Sequence, residues 1–140
     1  LYIYDLTEFG PYDVDLHGLY GYKYLDFYWT EEGRHPFIIY VEGKIAGFVL
    51  IRRDYMDDIN EYCNSIAEFF IMKRYRGQGL GKKVAFHMFG LFSGVWEVAQ
   101  MRSNKPAQDF WRRVIHDFTR GKYEEIQKDS WNGPVQTFRC

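Results

Sequence analysis

Between residues 65 and 92, three sharply different kinds of sequence follow one another without a gap. The first, SIAEFFIM, is apolar on both faces apart from Glu68, which predicts a strand in the middle of a sheet. The second, KRYRGQGLG, has glycines at alternate positions among basic residues. The third carries apolar residues at helical spacing. The sequence therefore predicts a strand, a glycine loop and a helix in direct succession.

The flanking segments predict an α/β domain with a mixed sheet. Short apolar runs bounded by turn residues are typical of strands, and a second amphipathic helix has Asn104 as its N-cap and Pro106 in its first turn. We expect a polar connection over 52–64 and short helical stretches around 19–29. The predicted strands are 37–41, 45–51, 65–72, 95–99, 123–127 and 135–138, and the long helices are 80–92 and 105–118.

Length and composition favour one domain over residues 1–140. An apolar fraction of 46% in 140 residues is enough for a core of its own. The chain starts at Leu1 without a methionine, so a first strand can lie upstream. Cys63 and Cys140 have no disulfide-framework spacing, and no apolar run reaches about 18 residues. We therefore expect a cytoplasmic protein with no membrane partner, and we leave a homodimer open.

The charges are divided unevenly along the chain. Residues 1–62 hold 5 basic and 12 acidic side chains, a net charge of −7, whereas residues 63–140 hold 13 basic and 7 acidic ones, a net charge of +6. Two ligands of opposite charge on one domain would explain this division, and so would two solvated surfaces. A nucleic-acid binder would use the basic half for phosphate contacts. Because the first half is acidic, we expect no nucleic acid partner.

The glycine loop is suited to an anion because it leads into a helix. The first helical turn has N–H groups without intrahelical partners and a partial positive charge, and glycines let a ligand approach these amides. Two common phosphate loops do not fit. The Walker pattern would need glycine at Arg76 and Ser or Thr at Lys83, and the dinucleotide fingerprint needs its last two glycines three residues apart.

Two motifs carry a resemblance to a known family. Arg76-Gly77-Gln78-Gly79-Leu80-Gly81 matches Arg/Gln-x-x-Gly-x-Gly/Ala and resembles the coenzyme A loop of the GNAT acyltransferase superfamily. Asn104-x-x-Ala107-x-x-Phe110-Trp111 resembles the family's Asn-x-x-Ala-x-x-hydrophobic-Tyr element. The resemblance covers residues 36–139 in element order, and the motifs lie within 65–118. It implies the GNAT N-acyltransferase fold, with a mixed, mostly antiparallel sheet flanked by helices.

The resemblance also implies acetyl-CoA as the cosubstrate. The end of the apolar strand splays open in family members, so its backbone is expected to pair with the pantetheine arm. The loop amides are expected to wrap the pyrophosphate, and Asn104 is expected to touch the pantetheine or hold the loop near it. The implied cofactor-binding residues are Phe69, Phe70, Ile71, Arg76, Gly77, Gln78, Gly79, Leu80, Gly81, Lys82, Asn104 and Trp111.

The implied chemistry is direct attack of an amine on the thioester carbonyl. A backbone N–H of Phe70 or Ile71 would stabilise the carbonyl oxygen as it gains charge. Glu68 is the one carboxylate in the apolar strand, and it could accept the amine proton because burial would raise its pKa toward a useful value. A salt bridge or an exposed strand edge would also explain Glu68. Glu97 is the second candidate base.

Trp111 departs from the family pattern. A Tyr often stands there as the acid for the leaving thiolate, whereas an indole N–H is no acid at neutral pH. Tyr123 or an N-terminal tyrosine could supply the proton, or none is needed, since a thiol pKa of about 8.5 makes thiolate a tolerable leaving group. A non-catalytic acyl-CoA sensor is the third explanation. The cysteine and histidine positions predict neither a covalent nucleophile nor a metal site.

The acceptor is expected to enter beside residues 17–29 and 53–62, by analogy with the family. Acidic and aromatic side chains in the second stretch could attract a cation by charge and by cation–π contact, although a solvated loop explains them as well. The expected acceptor is therefore a primary amine on a small molecule or a protein. These side chains are Asp54, Tyr55, Asp57, Asp58, Glu61 and Tyr62.

Overall fold

The computed structural model describes residues 1–140 and has an α/β architecture built on one six-stranded sheet. The sheet order is β1-β2-β3-β4-β6-β5, and every neighbouring pair is antiparallel except β3 and β4, so the predicted mixed, mostly antiparallel sheet is confirmed. None of the helices combines the length and apolar character needed to cross a lipid bilayer. The elements are α1 (Tyr2–Leu6), α2 (Phe27–Thr30), β1 (Arg34–Val41), β2 (Lys44–Met56), β3 (Glu61–Ile71), a 3₁₀ turn (Lys73–Tyr75), α3 (Leu80–Leu91), β4 (Val95–Ala99), α4 (Lys105–Thr119), β5 (Glu124–Lys128) and β6 (Trp131–Arg139).

An aromatic cluster joins α3 and α4 to the sheet. Phe89 of α3 lies with its ring centroid 5.0 Å from those of Trp96 in β4 and Phe138 in β6. Trp111 and Ile115 of α4 belong to the same buried cluster. Burying one large apolar side chain contributes roughly 1.5–3 kcal/mol. The cluster therefore fixes both helices, and with them the glycine loop that precedes α3.

The expected polar connection over 52–64 is wrong. β2 continues to Met56 and β3 begins at Glu61, so only residues 57–60 form the turn. The two strands pair from Arg52 opposite Ser65 to Met56 opposite Glu61. The polar side chains are tolerated because this end of the hairpin is largely exposed to solvent. The stretch is therefore a strand pair and not a flexible loop.

The N-terminal third contains less helix around 19–29 than expected, and one helix that was not predicted. The Asp15 carboxylate accepts hydrogen bonds from the backbone N–H groups of His17 (2.8 Å) and Leu19 (3.0 Å). Such side-chain turns compete with a helix. Within the expected helical stretch 19–29, helix is therefore confined to α2. In contrast, α1 has only five residues, which are too few to show a helical period.

β3 and β4 diverge after a short contact. They pair in parallel only from Cys63 opposite Val95 to Ser65 opposite Glu97. Beyond that point β3 continues to Ile71 with β2 as its only strand neighbour. The β4-facing edge of residues 66–71 therefore has no strand beside it, and an extended ligand can add there as a further strand. The 3₁₀ turn, the glycine loop and α3 follow this edge directly.

A glycine in β2 lets the strands approach at this point. A Cβ at Gly47 would lie 1.9 Å from the carbonyl oxygen of Phe70 and 3.1 Å from Cα of Ile71. We expect Gly47→Ala to lower the free energy of unfolding by about 1–3 kcal/mol, because the backbone of β3 must shift. Denaturant unfolding measures this change.

The matched control for this prediction is Gly90→Ala in α3. A Cβ at Gly90 would meet nothing within 4 Å, so alanine is expected to stabilise the helix by about 0.5–1 kcal/mol. If Gly47→Ala were as stable as the wild type, close strand approach would not be the reason for glycine there.

Candidate functional site

A cavity of about 780 Å³ lies between the free edge of β3, the glycine loop and the first turns of α3 and α4. Its remaining wall is α1 with residues 7–9, which the sequence patterns did not predict. Gln78 is exposed and does not line the cavity. The other predicted binding residues all line it, namely Phe69, Phe70, Ile71, Arg76, Gly77, Gly79, Leu80, Gly81, Lys82, Asn104 and Trp111.

The glycine loop opens its backbone toward the cavity. Gly77 and Gly79 have φ values of 75° and 78°, in the left-handed region that favours glycine, and a Cβ at either would meet nothing within 4 Å. Gly79 is the N-cap of α3 and supplies no capping side chain. The first turn of α3 contains no acidic residue. Its free N–H groups and helix dipole are therefore chemically suited to an anion.

Gly81 has a different role from the other two glycines. A Cβ there would lie 3.0 Å from Cζ of Phe110 in α4. Glycine at this position thus lets α3 and α4 pack closely at the cavity wall. The glycine that the motif attributes to ligand contact is also explained by helix packing.

Arg76 is already engaged by protein groups. Its Nε donates to the carbonyl oxygen of Ile71 at 2.6 Å, and its Nη2 donates to Oδ2 of Asp5 at 2.6 Å. Lys73 Nζ lies 3.8 Å from Oδ1 of the same carboxylate. Asp5 therefore neutralises part of the positive charge at the cavity. This ion pair also connects the acidic N-terminal half of the chain to the basic half.

Glu68 lies behind the cavity wall and not on it. Its side chain is half-buried, and both oxygens accept hydrogen bonds from tyrosines: Oε1 from Tyr22 Oη at 2.6 Å, and Oε2 from Tyr2 Oη. Burial raises the pKa of the Glu68 carboxyl, while the two hydrogen bonds act in the opposite direction. Tyr2 itself lines the cavity. The structure thus connects Glu68 to the cavity through Tyr2.

The other two candidate proton carriers lie elsewhere. Glu97 accepts a hydrogen bond from Lys128 Nζ at 2.7 Å and does not line the cavity. Tyr123 precedes β5, and its ring lies 6.5 Å from that of His116. Tyr123 does not line the cavity either.

Asn104 holds the start of α4 beside the cavity. Its Oδ1 accepts a hydrogen bond from the backbone N–H of Ala107 at 3.1 Å, so the predicted N-cap is confirmed. Gln108, which an amphipathic projection of α4 places on the polar face, is instead buried. Its Nε2 donates to the carbonyl oxygens of Met101 (2.9 Å) and Arg102 (3.0 Å). Gln108 thus anchors the turn that carries Asn104.

Trp111 forms an apolar wall of the cavity. It is 5% exposed, and its ring lies 4.9 Å from Phe69 and 5.0 Å from Phe110. These contacts fill the space between the free edge of β3 and α4. In this protein the indole supplies packing at the position where the family pattern has a phenol.

The predicted acceptor stretch 53–62 holds a cation of its own. The guanidinium of Arg53 lies 4.0 Å from the ring centroid of Tyr62, and its Nη1 donates to Asn64 Oδ1 at 2.7 Å. Tyr62 also stands six residues from Glu68 along β3, a separation of about 20 Å in a strand. In contrast, Tyr22 of the predicted stretch 17–29 contacts Glu68 directly.

The thiols and metal-binding residue types are not gathered at the cavity. Cys63 is half-buried, and burial raises the pKa of its thiol. A thiol held neutral in this way is a poor nucleophile. No three His, Cys, Asp or Glu side chains converge as a metal ion would require.

Comparison with known proteins identifies one family. The profile of the acetyltransferase (GNAT) family matches residues 2–116. A search of curated proteins found no match.

Several solved structures share the fold at low sequence identity. An acetyltransferase from Thermus thermophilus has a TM-score of 0.63 at 13% identity, over 83% of this chain and 70% of that one. Naa50 from Arabidopsis thaliana, in complex with the bisubstrate analogue CoA-Ac-MVNAL, has a TM-score of 0.63 at 15% identity, over 87% and 85%. The PaiA N-acetyltransferase from Thermoplasma acidophilum, in complex with coenzyme A, has a TM-score of 0.60 at 8% identity, over 82% and 66%. These likenesses show the fold.

Proposed function

Because the chain belongs to the acetyltransferase (GNAT) family, we propose that it is an enzyme that transfers the acetyl group of acetyl-CoA to a primary amine by direct attack. One observation carries this proposal: the unpaired edge of β3 leads straight into the glycine loop, and both line one cavity of about 780 Å³. An extended ligand with an anionic end needs such a combination. The neighbours named above that contain coenzyme A have the same fold.

The residues around the cavity fit the parts of acetyl-CoA. The amides of Gly77, Gly79 and the first turn of α3 would hold the pyrophosphate, because free N–H groups and the helix dipole favour an anion there. The backbone of residues 69–71 would pair with the amide groups of the pantetheine arm. Trp111 would border that arm on its apolar side. Acetyl-CoA supplies the activated acetyl group, and no metal is invoked.

Glu68 would act as the base that takes up the amine proton. Its raised pKa brings it closer to neutrality, where a base is most effective. A backbone N–H of Phe70 or Ile71 would stabilise the developing charge on the carbonyl oxygen. Direct attack leaves the enzyme without a covalent intermediate, which agrees with the neutral, half-buried thiol of Cys63.

The test is thiol release from acetyl-CoA in the presence of an amine panel. The panel includes polyamines, amino acids, an aminoglycoside and peptides with a free N-terminus. The proposal predicts release that depends on one class of amine, with the acetylated amine identified by mass spectrometry. Release that is independent of every amine would contradict it.

A non-catalytic acyl-CoA sensor is the second candidate. The observation that favours it is the absence of a phenol on α4 at the cavity, since Trp111 stands at that position and Tyr123 lies outside. A sensor would bind acetyl-CoA and release no thiol with any amine. The same panel therefore distinguishes the two functions.

Asp5 gives a prediction about binding strength. Replacing Asp5 with Asn removes a carboxylate from the cavity wall and frees Arg76, so coenzyme A is expected to bind more tightly. The affinity for coenzyme A is expected to rise about threefold, because an exposed ion pair contributes no more than about 1 kcal/mol. Calorimetric titration of coenzyme A measures it.

The control for this prediction is Asp13→Asn, which removes one negative charge outside the cavity. It tests whether the change in net charge alone strengthens binding. Weaker binding by Asp5→Asn would mean that Asp5 orients Arg76 toward the ligand and does not compete with it.

A further inference from the structure

The carboxylate proposed as the base has no direct access to the cavity. Both oxygens of Glu68 are occupied by tyrosine hydroxyl groups, and Glu68 is absent from the cavity lining. Tyr2 is the only one of the two tyrosines that lines the cavity. A proton that leaves a substrate in the cavity must therefore pass Tyr2 on the shortest route to Glu68.

The ring of Tyr2 is held in a defined position. Its centroid lies 5.4 Å from that of Phe48 in an edge-to-face contact and 5.7 Å from that of Phe70. Phe48 and Phe70 are cross-strand partners in β2 and β3. The hydrogen bond to Glu68 fixes the hydroxyl end of the side chain. Tyr2 Oη is thus held within hydrogen-bond reach of Glu68, as proton transfer between the two groups requires.

We propose that Tyr2 carries the proton from the attacking amine to Glu68, and that Tyr22 is a positioning residue that holds the carboxylate ionised. This inference rests on the proposed acetyl transfer. As the amine nitrogen forms its bond to the acetyl carbon and the bond from that carbon to sulfur breaks, Tyr2 Oη accepts the amine proton and passes its own proton to Glu68 Oε2. Glu68 then releases this proton through Tyr2 to the departing thiolate. Amine and thioester thus become amide and thiol, with no further reactant.

The ionisation of the cluster agrees with this direction of transfer. Burial and the charge of Glu68 raise the pKa of Tyr2, and burial with the hydrogen bond to Glu68 raises that of Tyr22. Neither phenol is therefore ionised at neutral pH, so Tyr2 can give up its proton only as it receives another. Beyond the two tyrosines, Tyr28 of α2 interacts with Glu68 and is itself close to Arg34 of β1 and Arg52 of β2, while Tyr12 acts on Tyr2.

Kinetics of two variants separate the roles of the tyrosines. Tyr2→Phe keeps the ring and is expected to lower the plateau kcat by about 10²-fold, at the lower end for a positioned proton-transfer group, with the Kd of acetyl-CoA unchanged. Tyr22→Phe removes a donor that favours the ionised carboxylate, so it raises the pKa of Glu68. The acid limb of its kcat/KM profile is expected to move to higher pH, with a smaller loss of plateau kcat.

Tyr40→Phe is the matched control, because Tyr40 is exposed on the edge strand β1 and lies outside the cavity. It is expected to leave kcat and the pH profile unchanged. Wild-type kcat in Tyr2→Phe would overturn the relay and leave Tyr2 as an anchor for α1. Wild-type activity in the same assay shows separately whether acetyl transfer itself occurs.

A second measurement does not depend on the acceptor. Carbon-13 NMR of the Glu68 carboxyl, assigned with Glu68→Gln, gives its pKa in the wild type and in both phenylalanine variants. The expected result is a higher Glu68 pKa in each variant, and unchanged values would overturn the relay whatever the kinetics show. If the pKa rises but the wild type acetylates no amine, both the relay and the proposed function are wrong.

Discussion

Replacing Glu68 with Gln is expected to lower kcat for amine acetylation by about 10²- to 10⁴-fold, the range typical of a positioned general base. Gln keeps the size of the side chain but cannot accept the proton. Acetyl-CoA is expected to bind as before, because Glu68 does not line the cavity. Steady-state kinetics with a saturating amine, together with calorimetric titration of acetyl-CoA, measure the two effects separately.

The pH dependence of kcat/KM in the wild type also tests whether Glu68 is the base. Burial raises the pKa of Glu68, and only its ionised form can accept a proton. The kcat/KM value is therefore expected to fall as the pH drops through this raised pKa, above the ordinary range for a carboxyl group. Glu68→Gln should lose this acid limb.

Glu97→Gln is the comparison variant for Glu68→Gln. Glu97 is the other candidate base, and its ion pair with Lys128 accounts for it without a catalytic role. If Glu97→Gln lost activity and Glu68→Gln retained it, the assignment of the base would be reversed.

Gly79→Trp is expected to weaken coenzyme A binding by at least about 100-fold, equivalent to about 2.8 kcal/mol. Gly79 caps α3 at the cavity with a φ of 78°. An indole at this position occupies the space next to the free amides of α3, and an L-residue is strained in the left-handed region. Both effects remove the anion site. Calorimetric titration of coenzyme A measures the loss.

Gly43→Trp separates the blocked site from the strained backbone. Gly43 has a φ of 75° in the β1–β2 turn, outside the cavity, and a Cβ there would meet nothing within 4 Å. Gly43→Trp therefore introduces the same backbone strain without blocking the cavity. This variant is expected to bind coenzyme A normally. Equal loss in both variants would mean that the loss reflects strain alone.

The strand, glycine loop and helix were predictable because their signals are local. An apolar strand, glycines at alternate positions and helical spacing each appear within a few residues, and the Asn104 cap needs only three residues more. The order of these elements already limits where an anion can bind. The family resemblance added the divergence of β3 from β4, which the strand pairing confirms.

The N-terminal wall of the cavity was not predictable from the sequence. Tyr2 and Asp5 lie in a five-residue helix and make contacts with Glu68 and Arg76 that span 66 and 71 positions. No local period indicates such contacts. The same holds for Gly81, whose packing against Phe110 depends on how α4 returns to α3.

Polar composition gave wrong predictions at two places where tertiary contacts determine the structure. The stretch from Arg52 to Asn64 has the composition of a loop, yet it forms a strand pair whose solvent-exposed end tolerates charge. Gln108 looks like a surface residue, but two carbonyl oxygens satisfy its amide in the interior. In both cases tertiary pairing decided the outcome.

The most direct test of the central claim is a map of the backbone amides that respond to acetyl-CoA, from ¹H–¹⁵N NMR spectra of the wild-type chain. We expect shifts at residues 69–71 and 77–82, with the β1–β2 turn at Glu42–Lys44 unchanged. Shifts confined to other regions, or no shifts at saturating acetyl-CoA, would contradict it.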